Sequence, residues 1–192
     1  MEARILEARL AFPALDKPQK FGEGEPAYQA KFIIAPKSAN VKLIEKAMLE
    51  TAEEKWEADG SKILKMLTED KKVSFAKSTY RSKKTGEPYD GFEGMFYLSA
   101  RNGPEQQPTI LDARNQLIED PILIKALMYS GCYVHAKVNF WAQDNQWGRR
   151  VNCSMLGVRF ARDGDHFSGG AKASAEDFAD LAVDDDDEAS LV

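Results

Sequence analysis

Apolar and charged residues alternate from the start of the chain. Leu6, Ala8, Leu10 and Phe12 fall on one face and Ile5, Glu7 and Arg9 on the other, the period-two pattern of a strand, which Pro13 is expected to stop. After a loop holding Pro18, Gly22, Gly24 and Pro26, the pattern returns in Tyr28, Ala30, Phe32 and Ile34, with Gln29 and Lys31 facing away. From Ser38 the period changes. Val41, Ile44, Met48, Ala52 and Trp56 recur every three or four residues along one side of a helix, which Gly60 is expected to end and which covers one side or end of the sheet.

Residues 71–86 hold six Lys/Arg, no acid and two aromatics, predicting a strand or ordered loop with a hairpin tip near Thr85 and Gly86. Alternation resumes from Phe92 to Arg101, with Phe92, Gly94, Phe96 and Leu98 opposite Met95, Tyr97 and Arg101. Thr109–Leu111 reads as a short strand, and Asp120–Tyr129 as an apolar stretch compatible with a helical turn. The clearest strand runs from Cys132 to Gln143, where Cys132, Val134, Ala136, Val138, Phe140 and Ala142 oppose Tyr133, His135, Lys137, Asn139 and Trp141. Its partner, Trp147–Arg162, carries Val151, Cys153 and Met155 on one face and then switches parity across Gly157 to Val158 and Phe160, as at a β-bulge. Phe92, Phe96, Phe140 and Phe160 share faces with aliphatic residues and are assigned to the core. The elements predict a mainly β fold, an OB-fold-like five-stranded barrel with one covering helix. A generic sandwich satisfies the same pattern.

Length and charge refine this picture. The chain has 192 residues, 43% of them hydrophobic, enough for one domain over residues 1–162. No apolar run approaches the ~18 residues of a membrane span, and the N-terminus lacks the order of a signal peptide, so a cytoplasmic protein without a membrane partner is expected. Cys132 and Cys153 match no metal pattern and are expected to be reduced and packed. Residues 163–192 hold ten Asp/Glu and one lysine, whereas residues 1–162 hold 25 Lys/Arg and 21 Asp/Glu. A mildly basic body with a disordered acidic tail suits a binder of polyanions that carries its own competitor; a solubilising tail has the same composition.

Catalytic patterns are missing. His135 and His166 belong to no HExxH or Cys/His arrangement, and there is no GxSxG or phosphate-loop motif. No metal, cofactor or catalytic residue is expected, and the Asp184–Asp187 run lacks the preorganisation of a cation site. Single-strand binding needs cations for phosphates and aromatic faces for bases. Lys71, Lys72, Lys77, Tyr80, Arg81, Lys83, Lys84 and Tyr89 interleave both. Lys31, Tyr97, Arg101, Tyr133, Lys137, Trp141, Trp147, Arg149 and Arg150 add outward-facing candidates on the strands and at the last hairpin. Alternatively the lysine-rich stretch is a solvated loop, Tyr133, Lys137 and Trp141 lie under the helix, and Trp147 is a lid over the barrel end.

The segments RLAFPAL (Arg9–Leu15), FGEGEPAYQAKFIIAPK (Phe21–Lys37), YSGCYVHAKVNFWAQDN (Tyr129–Asn145) and GVRFARDG (Gly157–Gly164), followed by an acidic tail, resemble the bacteriophage single-stranded DNA-binding proteins of the replication type. The resemblance covers most of the chain. It implies an OB-fold, sequence-tolerant binding of single-stranded DNA in phage replication and recombination, and a tail that contacts replication proteins such as a polymerase or a helicase/primase. Relatives can end the tail with an aromatic; here the chain ends Ser190-Leu191-Val192, and Phe178 precedes the acidic run Asp184, Asp185, Asp186, Asp187 and Glu188. A non-enzymatic monomer or weak dimer in the infected cell is expected. The rivals are an RNA-binding or strand-annealing module and a metal-dependent nuclease using Asp90, Glu93 and Asp112.

Overall fold

The computed structural model describes residues 1–20, 22, 24–81, 86–89 and 91–167. Strand β1 (Glu2–Gln19) is the longest and serves two antiparallel neighbours. Its first half pairs with β6 (Tyr133–Asn145) and its second with β2 (Ala27–Ile34), so that Arg9 is opposite both Tyr133 and Ile33. It does so by bending at two bulges, where Glu7 and Phe12 take positive φ of 50° and 48°. A non-glycine residue holds such a conformation at a cost of about 1–3 kcal/mol, so its surroundings must enforce it. Here side chains from distant segments bind the bulged amides: Glu7 N–H donates to His135 Nδ1 (3.2 Å) and Phe12 N–H to Ser130 Oγ (3.0 Å).

The bulges overturn the simple alternation expected for β1. Ile5, Ala8, Leu10, Ala11, Ala14 and Leu15 are buried, whereas Leu6 and Phe12 are exposed. Pro13 does not stop the strand, because it falls where the register with β2 shifts between Ala11 and Ala14 and no ladder N–H is required of it.

Helix α1 (Ala39–Trp56) starts at Ser38, whose Oγ accepts from Asn40 N–H (3.2 Å). The predicted stripe faces inward, with Ile44, Met48 and Ala52 buried and Val41 and Trp56 packed on the core. Asn40 also treats the β1 bulge as a strand would: its Oδ1 accepts from Leu6 N–H (3.2 Å) and its Nδ2 donates to Leu6 O (2.7 Å). Gly60 does not end the helix. After a 3-10 turn, Glu57–Asp59, it opens a second helix, α2 (Gly60–Glu69). A Cβ there would lie 2.7 Å from the Glu53 backbone, so glycine is required for close approach of the two helices.

Strand β3 (Phe75–Lys77) pairs with β4 (Phe96–Asn102), β4 with β2, β6 with β7 (Gly148–Arg162), and β5 (Thr109–Leu111) in parallel with β7; the sheet order is β3-β4-β2-β1-β6-β7-β5. The sheet returns on itself through residues 72–74. Val151 N–H donates to Lys72 O (3.2 Å), Ser74 N–H to Val151 O (3.0 Å) and Ser99 N–H to Ser74 O (2.8 Å), so this segment joins β7 to β4. Asn102 completes the seam from within: its Nδ2 donates to Met155 O (2.8 Å) and its Oδ1 accepts from Met155 N–H (2.7 Å).

The chain is therefore mainly β, with the barrel-type sheet that the alternation predicted. It has seven strands rather than five and three helices rather than one, because α2 is hidden where Gly60 reads as a helix stop, β3 is three residues long and α3 (Pro121–Leu127) seven. Elements so short carry no period. Gly157 lies at a bulge as expected: Lys137 pairs with Gly157 and Val138 with Met155, leaving Leu156 unpaired and turning both Met155 and Val158 inward. Phe32, Leu98, Phe140 and Phe160 fill the barrel. Phe92 is buried elsewhere, in a second cluster with Ala11 and Ile33 on the outer side of β1 and β2. Cys132 and Cys153 are free and buried, and burial pushes the thiol of Cys132 up to about 12 and that of Cys153 higher still.

Asn102→Ala leaves two buried backbone groups of Met155 unpaired, each costing about 1–3 kcal/mol. We expect urea denaturation to show a loss of roughly 2–4 kcal/mol. An unchanged midpoint would mean that the seam does not depend on Asn102.

Candidate nucleic-acid interface

Outward-facing residues of β2 and β4 build one continuous surface. Lys31 on β2 is opposite Ser99 on β4 and donates from Nζ to Ser99 Oγ (2.7 Å). Its ammonium lies 4.7 Å from the Tyr80 ring centre and 5.0 Å from that of Tyr97, and the two rings meet edge to face at 5.0 Å. Burial lowers the Lys31 pKa, partly offset by Tyr97, and burial is likewise the main cause of the raised Tyr97 pKa. A cation is thus kept half-buried on aromatic faces without a carboxylate partner among the described residues, an arrangement that favours an incoming anion.

The aromatic ledge continues through Tyr80 and Phe92 (5.6 Å) to Phe12 and Tyr89, whose rings meet at 5.6 Å. Phe12 and Tyr89 are each 38% exposed. Phe12 escapes sequence reasoning because alternation places it inside; only the bulge turns it out. Its neighbour Pro13 is the one local signal that the strand is irregular there.

On the other side of Ser99 lies a groove of ≈ 440 Å³, between Lys72, Ser99 and Arg101 on one bank and Trp141, Arg150 and Asn152 on the other. Trp141 is 44% exposed, so the helix does not cover it. Arg101 Nη2 donates to Glu25 O (2.6 Å), which ties the β1–β2 loop to the groove. The row Tyr97, Ser99, Arg101 along β4 joins groove and ledge.

The remaining candidates lie apart from this surface or are already engaged. Lys71 is exposed in the turn after α2, with a positive φ of 57°. Lys72 contacts Asp70 (3.0 Å), Lys77 is exposed at the end of β3, and Arg81 Nη1 donates to Gly86 O (3.0 Å). Trp147 is 77% exposed at the β6–β7 tip and covers no barrel end. Arg149 bridges Asp144 (3.1 Å), which also accepts from Trp56 Nε1 (2.8 Å) and is held below the usual carboxylate range chiefly by that bond. Tyr133 is half-buried between the guanidiniums of Arg162 (3.5 Å) and Arg9 (5.5 Å), and Lys137 pairs with Glu2 (2.7 Å). Both lie where β6 pairs with β1, Lys137 exposed and opposite Arg4, Tyr133 opposite Arg9. Lys83, Lys84 and Asp90, and Phe178, Asp184, Asp185, Asp186, Asp187 and Glu188 in the tail, lie outside the described residues.

Residues 163–167 pack back onto the body. Arg9 Nη2 donates to Asp165 O (2.6 Å), Phe167 N–H to Ser130 O (3.0 Å), and the Phe167 ring lies against Phe92 and beneath Arg9. The tail therefore leaves the body beside the aromatic ledge.

Over residues 1–189 the sequence matches the family described as Enterobacter phage Enc34, ssDNA-binding protein. The chain belongs to this family. It is 37% identical over 192 residues, 98% of each chain, to putative protein p50 of Acyrthosiphon pisum secondary endosymbiont phage 1. Its fold is similar to that of the Enc34 single-stranded DNA-binding protein in complex with ssDNA, at a TM-score of 0.71 and 23% identity, covering 87% of this chain and 89% of that one. A more distant likeness is to gp2.5, the single-stranded DNA-binding protein of bacteriophage T7, at a TM-score of 0.58 and 12% identity over 96% of both chains.

Lys31 tests whether this surface is maintained for a ligand. Removing a desolvated charge relieves a folding cost, so Lys31→Met is expected to keep or raise the melting temperature while weakening binding of oligo-dT. The slope of log K against log salt should fall in magnitude by about 0.7 for one lost single-strand phosphate contact. A loss of stability with unchanged affinity would make Lys31 a structural residue.

Proposed function

We propose that this protein binds single-stranded DNA without reading its sequence, as a non-enzymatic phage replication and recombination protein in the infected bacterial cytoplasm. The observation that carries the reading is the outward row of β4. It joins an aromatic ledge holding Lys31 to a groove containing Arg101, Trp141 and Arg150, which supplies both phosphate neutralisation and stacking along one path. Tyr80 and Tyr97 are half-buried, whereas Tyr89, Phe12 and Trp141 are exposed and offer ring surface to bases. Lys72 lines the groove and adds a further cation to that path.

The nuclease alternative finds no support. Among the described residues no three His, Cys, Asp or Glu cluster as metal ligands, and the Asp112 carboxylate is occupied in a turn, accepting from Arg114 N–H (2.7 Å) and Gln116 N–H (2.8 Å). No helix of the described residues is long and apolar enough to cross a membrane. The acidic tail competes with DNA for the basic surface and, once displaced, recruits replication proteins. The charge division supports this role: ten Asp/Glu and one lysine over residues 163–192 against 25 Lys/Arg and 21 Asp/Glu in the body.

Trp141→Ala is expected to weaken oligo-dT binding by about 1–3 kcal/mol, the worth of one stacked base, at an unchanged melting temperature. Tyr133→Ala, whose ring lies between the guanidiniums of Arg9 and Arg162, should lose much less. Equal losses at both positions, read by fluorescence titration, would overturn the assigned path. Matched RNA and DNA oligomers in the same assay test the choice of nucleic acid, because the 2′-OH distinguishes them.

Truncation after Phe167 removes most of the acidic residues of the tail from a basic body. Affinity for a short oligonucleotide should rise, most at low salt where screening is weak, and co-purification with replication proteins should be lost. Equal affinity of both forms at low salt would exclude the competitor.

A further inference from the structure

A second cavity plays no part in the proposed DNA path. It measures ≈ 620 Å³ and lies on the β1–β6–β7–β5 side of the barrel. Its lining combines two kinds of group that rarely share a surface. Leu6 and Leu156 are exposed apolar residues, each turned out by a bulge: Leu6 by the β1 bend and Leu156 as the unpaired residue between Met155 and Gly157. Around them are Arg4, His135, Lys137 and Arg159. Arg4 has no ion pair among the described residues. Arg159 donates from Nη2 to Ala113 O (2.6 Å) yet keeps a buried Nε–H without a partner.

Exposed leucines ringed by cations call for a ligand that is apolar and anionic together. The chain itself contains one. Residues 176–183, Glu-Asp-Phe-Ala-Asp-Leu-Ala-Val, place Phe178, Leu181 and Val183 among three carboxylates. Chain geometry permits the contact. Phe167 lies against Arg9, which lies over Tyr133, two residues along β6 from His135. The ten residues between Phe167 and Phe178 can span up to about 35 Å.

We propose that the segment Glu176–Val183 docks in this cavity, with its apolar side chains on Leu6 and Leu156 and its carboxylates on Arg4 and Arg159, Lys137 being paired with Glu2. Lys137 and Trp141 share the outer face of β6, four residues or about 13 Å apart, while the five residues Asp184–Glu188 extend up to about 17 Å. A tail docked here therefore delivers its acidic run to the Trp141 groove. Docking gives the competitor an address, and it rests on the competitor reading only for its consequence, not for the contact itself.

Paramagnetic relaxation on the full-length protein tests the contact. A nitroxide attached at Ala182→Cys leaves Phe178 in place, and the buried Cys132 and Cys153 do not compete for the label. Without DNA, amide signals of residues 135–137 and 156–159 should broaden, and Leu156→Asp or Arg4→Glu, each confirmed folded by the dispersion of its spectrum, should abolish the broadening. Broadening confined to residues 97–101, 141 and 150, or none beyond the unlabelled control, overturns the docking site. Oligo-dT affinity separates the two readings. If the label reports docking, Leu156→Asp should bind severalfold more tightly at low salt, as the truncated form does. Docking with no gain on truncation sinks the competitor and leaves the docking site standing; a gain on truncation with no docking signal does the reverse.

Discussion

The barrel depends on the hydrogen bonds that bring β4 back to β7. Closure falls to a three-residue bridge at 72–74 and to Asn102, whose amide satisfies both backbone groups of Met155. An asparagine 8% exposed in an apolar barrel is tolerable only because each of its polar atoms is paired. Without that seam Lys72 and Arg101 would not face Trp141 and Arg150, and the groove would not exist. The same bonds that finish the fold make the site.

A second constraint is the bend in β1. One strand can pair with both β2 and β6 only if it turns sharply, and here it turns at residues that are not glycine. The cost is local backbone strain, and the compensation comes from far along the chain: Asn40, Ser130 and His135 bind the backbone of the bulges. The bend has two products on opposite sides of the molecule. It exposes Phe12 to the aromatic ledge and Leu6 to the basic cavity.

Electrostatics then divide the surface. Lys31 is held against tyrosine rings at a desolvation cost, while Lys137, Arg149 and Arg162 have carboxylates within reach. An unpaired, half-buried cation is the more responsive to a phosphate, because binding replaces hydration it has already lost. Surface pairs respond less, since their charges are screened and already compensated.

The local pattern alone determined what depends on near neighbours. The faces of β6 and β7, the parity switch at Gly157, the buried stripe of α1, the short strand Thr109–Leu111 and the acidic tail were all legible, because period, bulge and charge are properties of adjacent residues. Candidate residues were legible as types: Lys31, Tyr80, Tyr97, Arg101, Trp141 and Arg150 do converge on one surface. What only the tertiary structure decided involves groups distant in sequence. The inversion of Leu6 and Phe12 follows from bulges stabilised by residues 34 to 128 positions away. Gly60 reads as a helix stop until the approach of Glu53 explains it. Tyr133 and Lys137 share a strand face with Trp141, yet Arg9, Arg162 and Glu2 already engage them, and no pattern along one strand records the partners that other segments bring.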